Sequence, residues 1–322
     1  MNQAGFVFET IQSPAFRVLS ESLKDVLVDA NYMFSAERGI EVISLDSTET
    51  VIVHMHIPSD RVERFSFFNA DGKLASADLA YALGINTQSM FRAVKNVTTT
   101  DTMALRYTES RPHVINVEIS NAERQSKLVY SLNLLTMPVP KCELAKVDLR
   151  EYDVQVTLPS TQLQKMCKEL LNANAQTVEM AVSKKSFRIR AILTSLNLQV
   201  VLFEKKGSST IAFQNAQIRE KFDKAADDLF VVFGEFPMRQ LQAFAKCTNS
   251  TPSVELFLCS GRPLVTQYHA ATLGSLRYYI APVNDGTPSG MRAGDNAVEG
   301  NRPREDADED SCMFTDNDDD CG

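Results

Sequence analysis

Tryptophan is absent from the 322-residue chain, and none of its six cysteines falls in a C-x-x-C pair. The second absence excludes a zinc knuckle and leaves no disulfide framework to read. Cys142, Cys167, Cys247 and Cys259 are expected to be reduced thiols, buried or half-buried. Equally missing are G-x-x-x-x-G-K-[ST], G-x-G-x-x-G, H-E-x-x-H and G-x-S-x-G. Without the common phosphate cradles, zincin sites and nucleophile elbows, the expectation is a protein that is not an enzyme and holds no cofactor. Long apolar runs are lacking too: the longest, such as 196–203, have the length of a strand, and no base precedes Arg17. Neither a membrane span nor a charged leader is therefore visible, which points to an intracellular protein without a membrane partner.

Two fragments imitate metal sites. His54 and His56 stand two apart in VIVHMHI, which on a strand puts both imidazoles on one face, but no cysteine or third histidine is near. Asp316, Asp318 and Asp320 copy the first half of a calcium loop, yet Cys321 stands where that loop requires glycine, and no glutamate follows at its twelfth position. The expectation is a half-exposed strand face in the first case and a solvated acidic stretch in the second, with no metal in either.

Acidic residues number 41 against 33 lysines and arginines, a formal charge of −8 that would by itself disfavour nucleic acid. Residues 284–322 alone hold 12 of those acids and 3 arginines, leaving 29 acids and 30 bases in residues 1–283. The body is thus nearly neutral, and the placement of its bases carries the information.

Four segments pair a helix-start signal with apolar residues at helical spacing. They begin at Ser13 (Ser as N-cap, then Pro14), near Thr87, at Ser160 after Pro159, and at Pro237, so that successive starts differ by 74, 73 and 77 residues. Such even spacing reads as four copies of one unit. Between the helices lie strand-like runs at 39–45, 51–57, 114–119, 128–134, 152–158, 187–193, 196–203, 229–233, 254–259, 263–268 and 276–280. Short polar turns between them predict antiparallel meanders, hence an α+β fold with each helix covering a sheet. Paired units give two similar domains, 1–135 and 151–283, joined by a connector at 136–150 in which Pro138 and Pro140 break any ladder. From residue 284 onward, glycine, proline, asparagine and acid predict a disordered acidic tail, 284–322.

Each predicted helix carries two bases at spacings that keep them on one side: Arg17 and Lys24, Arg92 and Lys95, Lys165 and Lys168, Arg239 and Lys246. If the four units place their helices on a common side, these bases form one positive surface suited to phosphate contacts that ignore base sequence. Stacked aromatics on the basic faces are missing and tryptophan is absent, which argues for duplex DNA over a single strand.

The stretches SLKDVLVDA (22–30), GIEVISLDSTETVIVHMHI (39–57), LGINTQSMFRAVK (83–95), LPSTQLQKMCKEL (158–170) and PLVTQYHAATLGSLRYYIAP (263–282) resemble the proliferating cell nuclear antigen (PCNA) family of sliding clamps, over essentially all of residues 5–283. The resemblance implies a DNA clamp (processivity) fold, three subunits joined head to tail into a closed ring, and a duplex held by enclosure. Also implied are DNA polymerase and other partners carrying PCNA-interacting peptides, an ATP-dependent clamp loader, and residence in the nucleus or a viral replication compartment. By matching motif, the partner-peptide pocket would use Leu45, Ile52, Leu144, Pro263, Tyr279, Ala281 and Pro282. The subunit interface would use Leu128, Tyr130 and Leu132 of one chain and Leu198, Val200 and Leu202 of the next, residues that fit buried core alternation equally. Lys184 falls near a lysine that is modified in some clamps. The near-neutral body and the long acidic tail depart from the family and suggest a divergent member, from a protist or a large DNA virus. Two alternatives stay open: a subunit of a heterotrimeric checkpoint clamp, and a clamp-derived docking or transcription accessory factor that does not encircle DNA.

Overall fold

The structure is a computed structural model that describes residues 4–46, 48–74, 79–138, 147–193, 196–205, 208–224, 230–245 and 251–283. Leu144, Lys246, Cys142, Cys247 and the tail therefore lie outside the described residues. The first half runs β1 (Gly5–Thr10), α1 (Ser13–Lys24), β2 (Asp29–Ser35), β3 (Gly39–Leu45), β4 (Val51–Ile57) and β5 (Arg64–Phe68). It continues through β6 (Ala80–Asn86), α2 (Thr87–Val94), β7 (Asp101–Thr108), β8 (Val114–Asn121) and β9 (Ser126–Asn133). The second half repeats that order with β10 (Val154–Pro159), α3 (Ser160–Asn172), β11 (Thr177–Val182), β12 (Ser186–Ile192), β13 (Asn197–Phe203) and β14 (Thr210–Phe213). One extra helix, α4 (Ala216–Lys224), follows, and then β15 (Val231–Pro237), α5 (Met238–Ala245), β16 (Ser253–Leu258), β17 (Leu264–Ala270) and β18 (Gly274–Ile280).

The unit behind the 75-residue spacing is strand, helix, three-stranded meander. Each unit lends its first strand to the meander of its neighbour: β1 pairs with β7, and β6 with β2. One domain is thus two sheets, β5-β1-β7-β8-β9 and β4-β3-β2-β6, and the other is β14-β10-β16-β17-β18 and β13-β12-β11-β15. Every named pairing is antiparallel, as the short turns require. The two domains are then fused, because β18 pairs with β4 and makes one nine-stranded sheet. At this seam a Cβ on Gly274 would lie 2.5 Å from the His56 carbonyl oxygen, so only glycine allows the strands to close there.

The helices form where sequence alone places them, with different chemistry at two starts. Ser13 and Ser160 are the first helical residues rather than N-caps. The Ser13 hydroxyl donates to the Asp101 carbonyl at 2.6 Å, and that of Ser160 lies 3.4 Å from the Thr251 hydroxyl, so each ties its helix to a neighbouring segment. At α2, Asn86 is the cap, accepting from the Ser89 amide at 2.9 Å. Phe16, Leu19 and Leu23 of α1, Met90 and Val94 of α2, Leu163 and Leu170 of α3, and Leu241 of α5 are buried in one core that runs through both domains. Helix α1 packs on α2 and α3 on α5, and α1 also reaches β17 and β18 across the seam.

The outward face of the nine-stranded sheet divides into two rows. One is apolar across five strands: Leu45, Ile52, Tyr279, Val265 and Phe257 are successive register partners. The next row is polar, with His54, Arg277, Gln267 and Glu255 in register. Glu41 meets His54 Nε2 at 3.0 Å, and this hydrogen bond, aided by the charges of His56 and Arg38, holds its carboxyl below the usual carboxylate range. Glu255 is held low in the same way by His269, Gln267 and Arg277. A carboxyl depressed on folding stabilises the protein above its unfolded pKa of about 4.3, and that stability is lost as pH falls through the lower folded value. Replacing both (Glu41→Gln, Glu255→Gln) is predicted to flatten the loss of stability below pH ~4.3, read as the urea midpoint at successive pH values. A double variant that loses stability on acidification as steeply as the parent would refute this.

Candidate nucleic-acid interface and docking surfaces

Five of the bases singled out in the sequence are exposed: Arg92 near the end of α2, Lys95 at its C-cap, Lys165 and Lys168 on α3, and Arg239 on α5. The amphipathic pattern explains this, since the apolar stripe of each helix is buried against the sheets and its opposite side faces solvent. Helix α1 differs. Arg17 is half-buried with its Nε unpartnered, and Lys24 sits 2.5 Å from Asp25 and 4.7 Å above the Phe91 ring, so its charge is already engaged. Among the described residues, the exposed bases of this set thus belong to α2 with its C-cap, α3 and α5. Lys184, in the β11–β12 turn, lies 3.8 Å from Asp223 of α4, a surface pair of little energetic weight.

Two strands end their sheets at comparable places: β9 closes one side of the first five-stranded sheet and β13 one side of the second four-stranded sheet. Leu128 and Val129 are more than half exposed and Tyr130 more than a third, while Leu132 is half-buried; on β13, Leu198 and Val200 are half-buried and Leu202 is buried. A long apolar edge open on both faces is a liability that natural sheets cover.

On the outward face, the apolar row forms a second, smaller core of Tyr152, Phe257, Val265 and Tyr279, with Ile52, Val147, Leu149 and Cys259 packed against it. Its cover is the described end of the connector. Tyr152 donates from its hydroxyl to the Pro263 carbonyl at 3.0 Å, and burial pushes that phenol up to about 12. Leu45, Pro263 and Ala281 stay exposed beside it, Ile52 and Pro282 are half-buried, and Tyr279 is buried. Tyr152, Phe257, Val265, Val147, Leu149 and Cys259 are members absent from the pocket expected from the sequence. The signal was present: Leu256, Phe257 and Leu258 are consecutive apolar residues in a strand that would alternate if one face met water. Among the described residues no three metal-binding side chains converge, and no helix is long and apolar enough to cross a membrane.

Residues 8–141 match the family model for the PCNA N-terminal domain, and residues 146–283 match that for the C-terminal domain. The "Probable DNA polymerase sliding clamp 1" of Paramecium bursaria Chlorella virus 1 is 23% identical over 278 residues, 86% of this chain and 97% of that protein. Proliferating cell nuclear antigen 2 of Drosophila melanogaster is 24% identical, covering 85% of this chain and 96% of its own. A crystal structure of the Entamoeba histolytica proliferating cellular nuclear antigen shares the fold, with a TM-score of 0.69 at 19% identity, over 88% of this chain and 99% of that one. Two consecutive domain matches and full-length relatives agree with the duplicated architecture: the chain belongs to the PCNA family of DNA sliding clamps, as a divergent member.

Proposed function

We propose that three copies of this chain close head to tail into a ring that encircles duplex DNA, slides on it without reading sequence, and serves as a processivity factor and docking platform. The observation that carries this reading lies inside one chain. Strands β9 and β18 occupy the same place in the repeat, as do β4 and β13. The chain joins β18 to β4 and leaves the other two as sheet edges, so the natural partner of β9 is β13 of the next copy. Such a contact is heterologous, and heterologous contacts close into rings or grow into filaments.

The seam also supplies a register. Leu276 faces Met55 and Tyr278 faces Val53. By position in their sheets, these four correspond to Leu128, Val200, Tyr130 and Leu198. The interface then sets Leu128 opposite Val200 and Tyr130 opposite Leu198, with Leu132 and Leu202 extending the apolar strip. Tyr130→Asp or Leu198→Asp is predicted to reduce the mass in solution from about 107 kDa, three times the 35.8 kDa chain, to that of one chain. Light scattering reads this directly, and a parent protein of one-chain mass at every concentration would remove the ring.

The exposed bases of α2, α3 and α5, with Arg17, Lys24 and Lys246, form the DNA-facing set of this proposal. Because enclosure prevents escape, modest positive charge is enough, and a closed ring needs an ATP-dependent loader to admit DNA. Reversing Lys95 and Arg239 to glutamate is expected to lower the salt slope of duplex binding by about 2. Stability should stay within about 0.5 kcal/mol of the parent for each exposed change. A variant that unfolds would contradict the solvent-facing assignment.

Polymerases and other partners dock by a short peptide against Leu45, Ile52, Pro263, Tyr279, Ala281 and Pro282, with Leu144 on the connector. The apolar row Leu45, Ile52, Tyr279, Val265 and Phe257 supports the assignment. Leu45→Asp is predicted to abolish binding of a peptide bearing apolar and aromatic anchors while leaving the trimer mass unchanged. Retained peptide binding would move the pocket elsewhere. Work on replicating DNA fits the nucleus or a viral replication compartment.

A further inference from the structure

Between α3 and α5 lies a groove of about 590 Å³ lined by Gln164, Lys165, Lys168, Leu171, Gln242 and Ala245, among others. Two exposed lysines share it with apolar side chains, of which Leu171 is half-buried and Ala245 buried. Duplex phosphates would satisfy the lysines and leave the groove's exposed apolar surface, to which the half-buried Leu171 contributes, uncovered.

The chain itself holds a segment of the opposite pattern. Glu305, Asp306, Asp308, Glu309 and Asp310 precede Met313-Phe314, and Asp316, Asp318, Asp319 and Asp320 follow. Phe314 is the only aromatic residue after 283, and this segment holds nine of the 12 acids there. The described chain ends beside the groove's own domain, because the Val283 amide donates to the Glu235 carbonyl at 2.8 Å, three residues before Met238 opens α5. Twenty-nine residues, 284–312, separate Val283 from Met313. That length spans at most about 100 Å, several times the width of a domain of this size.

We propose that residues 305–320 dock in the α3–α5 groove of their own chain when DNA is absent, with Met313 and Phe314 on the apolar side chains and the flanking acids on Lys165 and Lys168. This rests on the reading of those lysines as DNA-facing, and makes the segment a tethered competitor that a duplex displaces. At an effective concentration on the order of 1 mM, and with a Kd of about 0.1 mM for the untethered segment, it weakens duplex binding about tenfold.

The test uses the full chain at low salt in two arms. Zero-length carbodiimide cross-linking read by mass spectrometry is expected to join Lys165 or Lys168 to acids of 305–320 within one chain, and added duplex is expected to suppress those links. Absence of the links, or their even spread over all lysines, overturns the docking. In the second arm, Met313→Ser with Phe314→Ser leaves the net charge unchanged and is expected to tighten binding of a short fluorescent duplex about tenfold. Unchanged affinity overturns an apolar anchor and reduces the tail to diffuse repulsion. Specific links with no duplex binding by either protein would support the docking and sink the DNA reading of that face, so the two fail separately.

Discussion

The antiparallel pairing of β4 with β18 is the contact on which the architecture depends. Each domain comes from two strand-helix-meander units that exchange their first strands, and such an exchange leaves every meander with one outer strand. In one chain four such strands exist: β4, β9, β13 and β18. Pairing two of them fuses the domains through a nine-stranded sheet and a common core, and leaves their counterparts β9 and β13 as sheet edges carrying apolar residues. Unpaired edges of this kind either aggregate or find a defined partner. In the proposed ring, the geometry that joins the halves of one chain also joins one copy to the next.

Electrostatics follow the same division of labour. The helices bury their apolar stripes on the sheets, so their bases are displayed on the opposite side, while the outward sheet face carries the partner-sized apolar row and its polar neighbour. On the proposed function, DNA contact and protein docking use different layers of one structure, and neither has to yield to the other. The chain's acidity lies mostly beyond residue 283, in a segment whose charge is opposite to that of the helices. On the proposed docking, a tethered counter-charge of this kind weakens the binding of free duplex.

The helix starts at 13, 87 and 160 were legible because each combines a capping or proline signal with a 3.6-residue apolar period; Pro237 closes β15, and α5 opens at Met238. The eleven strand runs read from sequence all correspond to strands, whereas β1, β2, β5, β6, β7, β11 and β14 escaped notice. Strands such as β2 (DANYMFS) and β6 (AYALGIN) carry weak turn signals and mixed patterns, because their stability comes from pairing partners far along the chain. Helix α4 was missed for a related reason: it is polar along most of its length and is fixed by Phe222 on Phe213. Among the bases, sequence placed all eight on helical faces but could not see that Lys24 is engaged by Asp25 and Phe91. Tyr279 was found through its motif, whereas Tyr152 was legible only as the first residue of the 152–158 strand run, whose alternation does not mark it as part of the outward apolar row.

Enclosure, rather than affinity, is the central claim, and retention on DNA of different topology tests it most directly. After loading onto nicked circular and linear duplexes of equal length, followed by a high-salt wash, the account predicts protein retained on circles and lost from linear molecules through their free ends. Equal retention on both forms would contradict it.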